Sequence, residues 1–114
     1  MTERFFHILA RDEWARLAEA GGSAQIVAAS VAAEGFAHCS YRDEVEASAD
    51  RHFAPDAELV ALELDPDLIE AEIRVERAPA RGRDFPHVYG PIPVAAVVAV
   101  WPLTAGADGF TLGP

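Results

Sequence analysis

The sequence predicts one α+β domain over residues 1–114, built from two main helices and small sheets of mixed or antiparallel strands. Three observations support this class. An aromatic stretch at 4–10 has a strand pattern, two segments beginning near residues 11 and 40 have a helical pattern, and several strand patterns follow in the second half. The order strand, helix, strand, helix and then strands is typical of α+β folds. A chain of 114 residues is long enough for one hydrophobic core.

The first twenty residues predict a strand followed by a helix. "RFFHILA" (4–10) combines aromatic and β-branched residues, which favour strands. The helical segment then places Trp14 and Leu17 at helical spacing and ends at Gly21. Residues 23–33 mix alanines with β-branched residues, so we predict mostly a loop with one helical turn.

The middle of the chain predicts a short strand and a second helix. "GFAHCS" has a strand pattern, and Ser40 stands where an N-cap would begin a helix that extends to about residue 53. Val45 and Ala49, together with His52 or Phe53, are predicted to form the inner face of that helix.

The second half predicts three more strands. In residues 58–64, two mainly apolar sets of side chains (59, 61, 63 and 60, 62, 64) would face opposite sides of a strand. In residues 72–77, apolar side chains alternate with charged ones, which indicates a half-exposed strand. Residues 78–93 contain four prolines and two glycines, so we predict a loop. Residues 94–103 predict a buried last strand, followed by a glycine-rich tail.

Charge and composition restrict the partners. A net charge of −10 opposes the counterion release that drives nucleic-acid binding, so we do not expect a nucleic-acid partner. A local cluster of arginines interrupts this acidity and either holds one phosphate or forms a solvated face, and we favour the solvated face. Its members are Arg74, Arg77, Arg81 and Arg83.

No targeting or membrane signal is predicted. The longest nearly unbroken apolar stretch, residues 94–101, is far shorter than a membrane span, and residues 1–14 lack the pattern of a signal peptide. Cys39 is the only cysteine, which excludes an internal disulfide and suits a reducing compartment. We therefore predict a cytoplasmic protein that does not associate with membranes.

Strand alternation indicates which polar side chains could line a cleft. In the strand near residue 38, His38 and Ser40 share one face, whereas Cys39 points to the other. A Cys–His nucleophilic pair is therefore disfavoured, and Cys39 is predicted to be a small core residue. For Ser40, capping a helix remains the simpler alternative to a role in a site.

Two further segments contribute candidates. His7 shares a strand face with apolar residues, and His87 shares a face with Phe85 and Tyr89 if that segment is extended. The alternative for each is a structural residue that is hydrogen-bonded in the core. No metal is expected, since no pair of histidines has a spacing typical of zinc sites.

Three stretches resemble the bacterial domain-of-unknown-function family 952, whose members are sometimes labelled glutathione S-transferase related. They are "FHILARDEW", "AAEGFAHCS" and "DFPHVYGPIPVAAVVAV". The resemblance implies an ADP-ribosyltransferase-like fold, in which two small sheets surround an NAD-binding cleft.

RNA 2′-phosphotransferases of that fold provide a residue-level comparison. His7 resembles the histidine of their histidine-glycine-threonine motif, but Ile8 and Leu9 replace the other two residues. The change matters because glycine lets the backbone approach a dinucleotide closely. His38 and Ser40 resemble the end of their second motif.

The resemblance implies a cleft that binds NAD or a related ADP-ribosyl nucleotide as a small-molecule partner. His7, Ser40 and Tyr89 are the predicted binding residues, with Tyr89 stacking on a ring. His38 and His87 are the predicted catalytic residues, together with Glu76 as a stand-in for the catalytic glutamate of protein-modifying relatives. Transfer would proceed through an oxocarbenium-like centre that needs charge stabilisation.

Two alternatives remain open at this point. One is a non-catalytic interaction module with structural histidines, in which the proline-rich segment contacts a partner protein. The other is a zinc enzyme with histidine ligands. Whether His7, His38 and His87 meet in one pocket distinguishes the first hypothesis from the interaction module.

Overall fold

A computed structural model describes residues 3–113 and shows an α+β architecture. The helices are α1 (Arg11–Ala20), α2 (Ala29–Glu34) and α3 (Val45–His52). The strands are β1 (Phe5–Ala10), β2 (Gln25–Ile26), β3 (Ala37–His38), β4 (Leu59–Leu64), β5 (Glu72–Ala78), β6 (Arg83–Tyr89), β7 (Ile92–Pro93), β8 (Val97–Gly106) and β9 (Gly109–Leu112).

Three antiparallel sheets form the fold. The main sheet has the strand order β1-β4-β8-β9, the second sheet has the order β3-β6-β5, and β2 pairs with β7. Every strand pairing within the described residues is antiparallel, as the α+β class favours. None of the helices in this part of the chain is long and apolar enough to cross a bilayer.

Strand β4 separates two hydrophobic cores, whereas the length of the chain predicted only one. Val60, Leu62 and Leu64 belong to the first core, which also contains side chains from the second sheet and from β2 and β7. Leu59 and Ala61 face the second core, which α3 and β9 cover. Both faces of β4 are therefore buried, which explains why nearly every position in this strand is apolar.

The main sheet and the second sheet are joined next to β3. The N–H of Phe6 donates to the carbonyl of Ser40 over 2.7 Å, and the N–H of Ser40 donates to the carbonyl of Phe6 over 2.8 Å. The N–H of Cys39 donates to the carbonyl of Pro86 over 3.1 Å. Residues 39 and 40 thus tie β1 to β6, and this junction brings the predicted site residues together.

Helix α1 agrees with its prediction. It begins at Arg11 and ends where Gly21 adopts a φ of 92°, a left-handed value that favours glycine. Trp14 and Leu17 pack against the first core.

The segment after α1, residues 23–33, was predicted mostly as a loop, but β2 and the six-residue α2 occupy it. Strand β2 forms because Gln25 and Ile26 pair with Pro93 and Ile92 of β7, whereas Val27 lies outside the strand and is 61% exposed.

Ser40 does not cap the second long helix, and that prediction was wrong. A 3₁₀ turn over Arg42–Glu44 precedes α3, and neither has a side-chain cap. The main chain of Ser40 is used in the bridge to β1, which removes this residue from the start of the helix. Val45 and Ala49 are fully buried, as predicted for the inner face.

The predicted loop at residues 78–93 is mostly β-structure, because β6 lies between β3 and β5. Proline is disfavoured in central strands because it lacks an N–H donor. In β6 the carbonyl of Pro86 points towards Cys39, so the missing N–H lies on that same side, where β3 ends at His38. The ladder to β5 therefore loses no hydrogen bond.

The C-terminal part also differs from prediction. The predicted tail contains the end of β8 and all of β9, which form a hairpin. The last strand was predicted to be buried, but Val98 is 40% exposed and Val100 is 43% exposed. The first core covers β4 and does not extend over this face of β8.

Candidate functional site

A cavity of about 650 Å³ lies at the junction of the main and second sheets. All four histidines of the chain line it, from β1, β3, α3 and β6. The positions are His7, His38, His52 and His87. The three histidines predicted from the sequence therefore meet in one concavity rather than lying in separate parts of the core.

His38 and His87 are direct neighbours across the β3–β6 pairing. Their ring centroids are 5.5 Å apart in an edge-to-face arrangement. The ring of His52 lies 6.0 Å from that of His38. Three imidazoles therefore form a continuous row along one wall of the cavity.

The buried His7 has a defined tautomer. Its Nδ1 lies 2.8 Å from the carbonyl oxygen of His38, and because a carbonyl only accepts, Nδ1 carries the proton. Burial lowers the pKa of His7, although this hydrogen bond opposes the shift. The neutral ring leaves Nε2 as an acceptor, and Nε2 has no partner among residues 3–113. Since no partnerless side-chain nitrogen or oxygen in that range is fully buried, Nε2 is accessible from the cavity.

His87 is held from the side opposite the cavity. Its Nδ1 lies 2.9 Å from Oε1 of Glu76, and the hydroxyl of Tyr89 donates to the same oxygen. These two hydrogen bonds, that of Tyr89 first, lower the pKa of Glu76. The hydrogen bond to Glu76 in turn raises the pKa of Tyr89. Glu76 is therefore a carboxylate that fixes the Nδ1 side of His87.

Aromatic stacking restrains the same imidazole. The ring of Phe36 stacks on the ring of His87 with a centroid distance of 4.0 Å, and it meets His38 edge-on at 4.9 Å. The guanidinium of Arg74 lies over the ring of Tyr89 at 4.5 Å. This cation covers one face of the Tyr89 ring, so that face is closed to a ligand.

A second carboxylate lies on the cavity itself. Oε2 of Glu34 is 2.7 Å from Nε2 of His38, and Glu34 lines the cavity. The hydrogen bond from His38 is the main reason that the pKa of Glu34 is lowered, and the nearby His87 and His52 act in the same direction. Glu34 therefore supplies negative charge next to the row of histidines.

Hydroxyl groups and a paired arginine line another part of the wall. The hydroxyls of Ser40 and Ser48 are 2.8 Å apart, and Nη2 of Arg81 donates to Glu44 over 2.8 Å. Nη2 also lies 3.4 Å from the hydroxyl oxygen of Ser48. These contacts keep the guanidinium of Arg81 in place beside the serines.

The arginine cluster predicted from the sequence is neutralised pair by pair. The pairs are Arg74–Glu72, Arg77–Asp84, Arg81–Glu44 and Arg83–Asp43, with N–O distances of 2.9, 3.0, 2.8 and 2.8 Å. By contrast, Arg51 lines the cavity from α3 and forms no ion pair within the described part of the chain. Arg51 is thus the better candidate to meet an anionic group.

The main-chain edge of β1 also borders the cavity. Because strand residues alternate, the N–H and C=O of Ile8 point to the same edge as those of Phe6, away from β4. Those of Phe6 bond Ser40, whereas those of Ile8 have no partner in residues 3–113. One donor and one acceptor are therefore available next to His7.

Cys39 borders the cavity but is a core residue, as strand alternation predicts. It is 3% exposed, and burial raises the pKa of its thiol. A neutral buried thiol is a poor nucleophile. In the range 3–113, no three His, Cys, Asp or Glu side chains are grouped so as to hold a metal ion.

The predicted site residues separate into two groups. His7, His38, Ser40 and His87 line the cavity, whereas Glu76 and Tyr89 support His87 from outside it. Sequence reasoning missed Glu34, Arg51 and His52 as lining residues. One signal was present, since three lining residues of α3, at positions 48, 51 and 52, have i, i+3, i+4 spacing and therefore share one helix face.

Fold and site together define an α+β domain with a histidine-lined cavity between two antiparallel sheets. The sequence profile of the family described as "Protein of unknown function (DUF952)" matches residues 8–100. The match covers most of the chain, so this protein belongs to that family, as the resemblance indicated.

Solved structures support the same relationship. The crystal structure of CC0527 from Caulobacter crescentus is 29% identical, with a TM-score of 0.77, over 94% of this chain and 91% of that chain. The solution structure of CC0527 has a TM-score of 0.67 at the same identity and covers 94% of this chain and 90% of that one. A search of curated proteins gave no match.

Proposed function

We propose that the cavity binds NAD or another ADP-ribosyl nucleotide, in a cytoplasmic protein related to ADP-ribosyltransferases. The observation that carries the proposal is the meeting of His7, His38 and His87, from three separate strands, around one cavity. Two sheets placed around a cleft are what the family resemblance implies for nucleotide binding. Four chemical features of the cavity support this ligand class.

The acceptor at His7 suits a ribose hydroxyl. A neutral imidazole whose Nδ1 donates to His38 can only accept at Nε2. Burial disfavours the charged ring, so His7 is poorly suited to a phosphate and well suited to an O–H donor. Ribose supplies such donors.

The free edge of β1 suits a carboxamide. Nicotinamide carries one amide that donates and accepts, and the main chain of Ile8 offers one acceptor and one donor. An isoleucine side chain at this position does not block the main-chain groups, because side chains project from the faces of a sheet rather than from its edge.

Arg51 suits the diphosphate. It is a cation at the cavity that forms no ion pair with any of residues 3–113, and guanidinium groups bind phosphate oxygens by charge-assisted hydrogen bonds. Arg81 also lines the cavity, but its guanidinium is already paired with the carboxylate of Glu44. We therefore assign the phosphate contact to Arg51.

The size of the cavity and its apolar lining suit a nucleotide. A volume of about 650 Å³ lies within the usual range of roughly 300–1,000 Å³ for small-molecule sites. Ala28, Ala29 and Phe53 provide apolar surface against which a base could pack. Tyr89 is partly covered by Arg74 and holds Glu76, so we give it a supporting role rather than the stacking role predicted from sequence.

Calorimetric titration with ADP-ribose and with NAD tests the proposal. We expect saturable binding by the wild-type protein and about tenfold weaker binding of ADP-ribose by Arg51→Ala, since one charge-assisted hydrogen bond contributes about 1.5–3 kcal/mol. The matched control is Arg16→Ala, because Arg16 is exposed on α1, is not among the residues that line the cavity, and is also without an ion pair in the described residues.

Two results would overturn the proposal. One is the absence of binding of both nucleotides at millimolar concentration. The other is an equal loss of affinity in Arg16→Ala and Arg51→Ala, which would remove the phosphate contact from the cavity.

A further inference from the structure

We propose that His87 is a general base that activates water for cleavage of the N-glycosidic bond of bound NAD, with Glu76 as its positioning residue. The inference rests on the proposed nucleotide site and adds a reaction to it. It follows from the arrangement of Glu76, Tyr89 and Phe36 around one imidazole.

The hydrogen bonds define which nitrogen of His87 can accept a proton. Nδ1 is 2.9 Å from Oε1 of Glu76, and because a carboxylate only accepts, Nδ1 carries a proton. Nε2 of His87 has no partner within residues 3–113 and is not fully buried. In its neutral form the ring presents a free lone pair at Nε2, and His87 lines the cavity.

The ring is also held in place. Its side chain is 11% exposed, Phe36 stacks on its face at 4.0 Å, and the pairing of β6 with β3 and β5 fixes its main chain. Tyr89 fixes the carboxylate of Glu76 by donating to the same oxygen. A carboxylate therefore orients the base, and a hydroxyl group orients the carboxylate. Proton-transfer catalysis requires an arrangement of this kind.

The reaction balances without another reagent. The oxygen of water forms a bond to C1′ of the nicotinamide ribose while the bond from C1′ to the pyridinium nitrogen breaks. That electron pair stays on the ring nitrogen, so nicotinamide leaves as a neutral molecule. One proton of the water passes to Nε2 of His87 and then to solvent, and the products are ADP-ribose, nicotinamide and a proton.

A negative charge lies near the centre where positive charge would develop. Glu34 lines the same cavity and interacts with His38, His52 and His87. Carboxylates near an oxocarbenium-like centre stabilise it electrostatically. Glu34 therefore takes the role of the catalytic carboxylate in the cavity, which was predicted for Glu76. Glu76 instead acts through His87.

Release of nicotinamide from NAD, followed by chromatography, is the test. We expect release by the wild-type protein above the protein-free rate, a loss of at least about 100-fold in His87→Gln, and about tenfold in Glu76→Gln. Glu70→Gln is the control, because Glu70 is an exposed carboxylate outside the cavity. ADP-ribose affinity, measured in parallel, should agree within about threefold between the wild type and Glu70→Gln, because Glu70 has no place in the cavity.

The pH profile separates positioning from a purely structural role. Wild-type activity should fall on acidification, because a protonated His87 cannot accept a proton. The charged and titratable groups around this ring are Glu76 and Arg74 from β5, Tyr89 from β6, His38 from β3 and Glu34 from α2. Loss of the carboxylate in Glu76→Gln should move the acidic limb to lower pH, which a simple packing defect would not do.

The outcomes distinguish this inference from the proposed function. Binding of ADP-ribose without nicotinamide release, or unchanged release by His87→Gln, would overturn the reaction and leave the nucleotide site intact. Failure of ADP-ribose and NAD to bind would overturn both. If His87→Gln fails to fold, Glu76→Gln still decides the matter, and an unshifted acidic limb in that variant overturns the inference.

Discussion

At the residue scale, the proposed chemistry depends on two imidazoles whose protons are fixed by acceptors behind them. The carbonyl of His38 holds the proton of His7 at Nδ1, and Glu76 does the same for His87. Both rings therefore present Nε2 as an acceptor. Because the two rings come from different sheets, the junction at Phe6 and Ser40 is what places them around one cavity.

The burial of His7 predicts a pH dependence of stability. The folded-state pKa values of His7 and His52 lie below the usual 6.5, chiefly because of desolvation. The unfolded chain therefore binds more protons below pH 6.5, so this stability is complete above that pH and is lost as the pH falls through the folded-state values. Urea unfolding should give a lower free energy of unfolding at pH 5.5 than at pH 7.5. A His7→Gln variant should show a smaller decrease, and equal stability of the wild type at both pH values would refute this account.

The half-buried ion pair of Arg81 should matter more than exposed pairs. The side chains of Arg81 and Glu44 are 13% and 17% exposed, whereas those of Arg77 and Asp84 are 61% and 51% exposed. Glu44→Gln leaves a poorly solvated guanidinium, so we expect a loss of roughly 1–3 kcal/mol in the free energy of unfolding. Asp84→Asn should lose less than about 1 kcal/mol. Denaturant titration of both variants checks the ranking, and equal losses would contradict it.

At the element scale, sequence patterns predicted an element correctly where the apolar periodicity continued over several neighbouring residues. Helix α1, the inner face of α3 and the two apolar series of β4 were all predicted. Strand β6 was not, because four prolines in residues 78–93 indicate a loop unless one knows that the missing donor of Pro86 lies beyond the end of β3. The position of Pro86 relative to β3 is a feature of the tertiary structure, which a local sequence pattern does not contain.

The same reasoning applies to the site. The alternation of side chains along a strand predicted which face His7, His38 and His87 share with their neighbours, because each of them lies within one short strand. Whether Glu34 or Arg51 would line the same cavity depends on how α2 and α3 pack beside β1, which no local pattern encodes. Three of the four histidines of the cavity were therefore predictable, whereas His52 and the charged residues of the cavity were not.

The free edge of β1 predicts a hydrogen-exchange pattern. The amides of His7 and Leu9 point towards β4 and should exchange slowly, whereas the amide of Ile8 points to the cavity and should exchange fast. Saturating NAD should slow exchange at Ile8 selectively, because a carboxamide would accept from that N–H. Amide exchange measured by NMR provides the check. Protection of Ile8 without ligand, or no change on adding NAD, would contradict the proposed contact.

The C-terminal hairpin, which the sequence did not predict, depends on Gly109. Its φ is 111°, and an added Cβ would lie 2.7 Å from a carboxylate oxygen of Asp50, which accepts from the N–H of Phe110. Gly109→Ala should therefore lower the free energy of unfolding by roughly 1–3 kcal/mol. Gly22→Ala, where the added Cβ meets nothing within 4 Å, should change it by about 0.5 kcal/mol or less. Thermal unfolding of the two variants compares them directly, and equal stability would contradict the assigned role of Gly109.

At the scale of the whole molecule, the two cores stabilise the sheets and leave the cavity at their junction. The first core joins the main sheet to the second sheet, and the second core joins the main sheet to α3. Most of the cavity wall therefore belongs to packed elements, and several of its polar side chains, such as His7, Glu34 and Ser40, are held by hydrogen bonds within the protein. Such preorganisation is what a binding site requires.

A crystal structure determined with ADP-ribose at saturating concentration is the most direct measurement of the central claim. We expect electron density for the ligand within the cavity, with a ribose hydroxyl at Nε2 of His7 and the diphosphate at Arg51. Density at another surface, with the cavity free of ligand, would contradict the claim that this cavity is a nucleotide site.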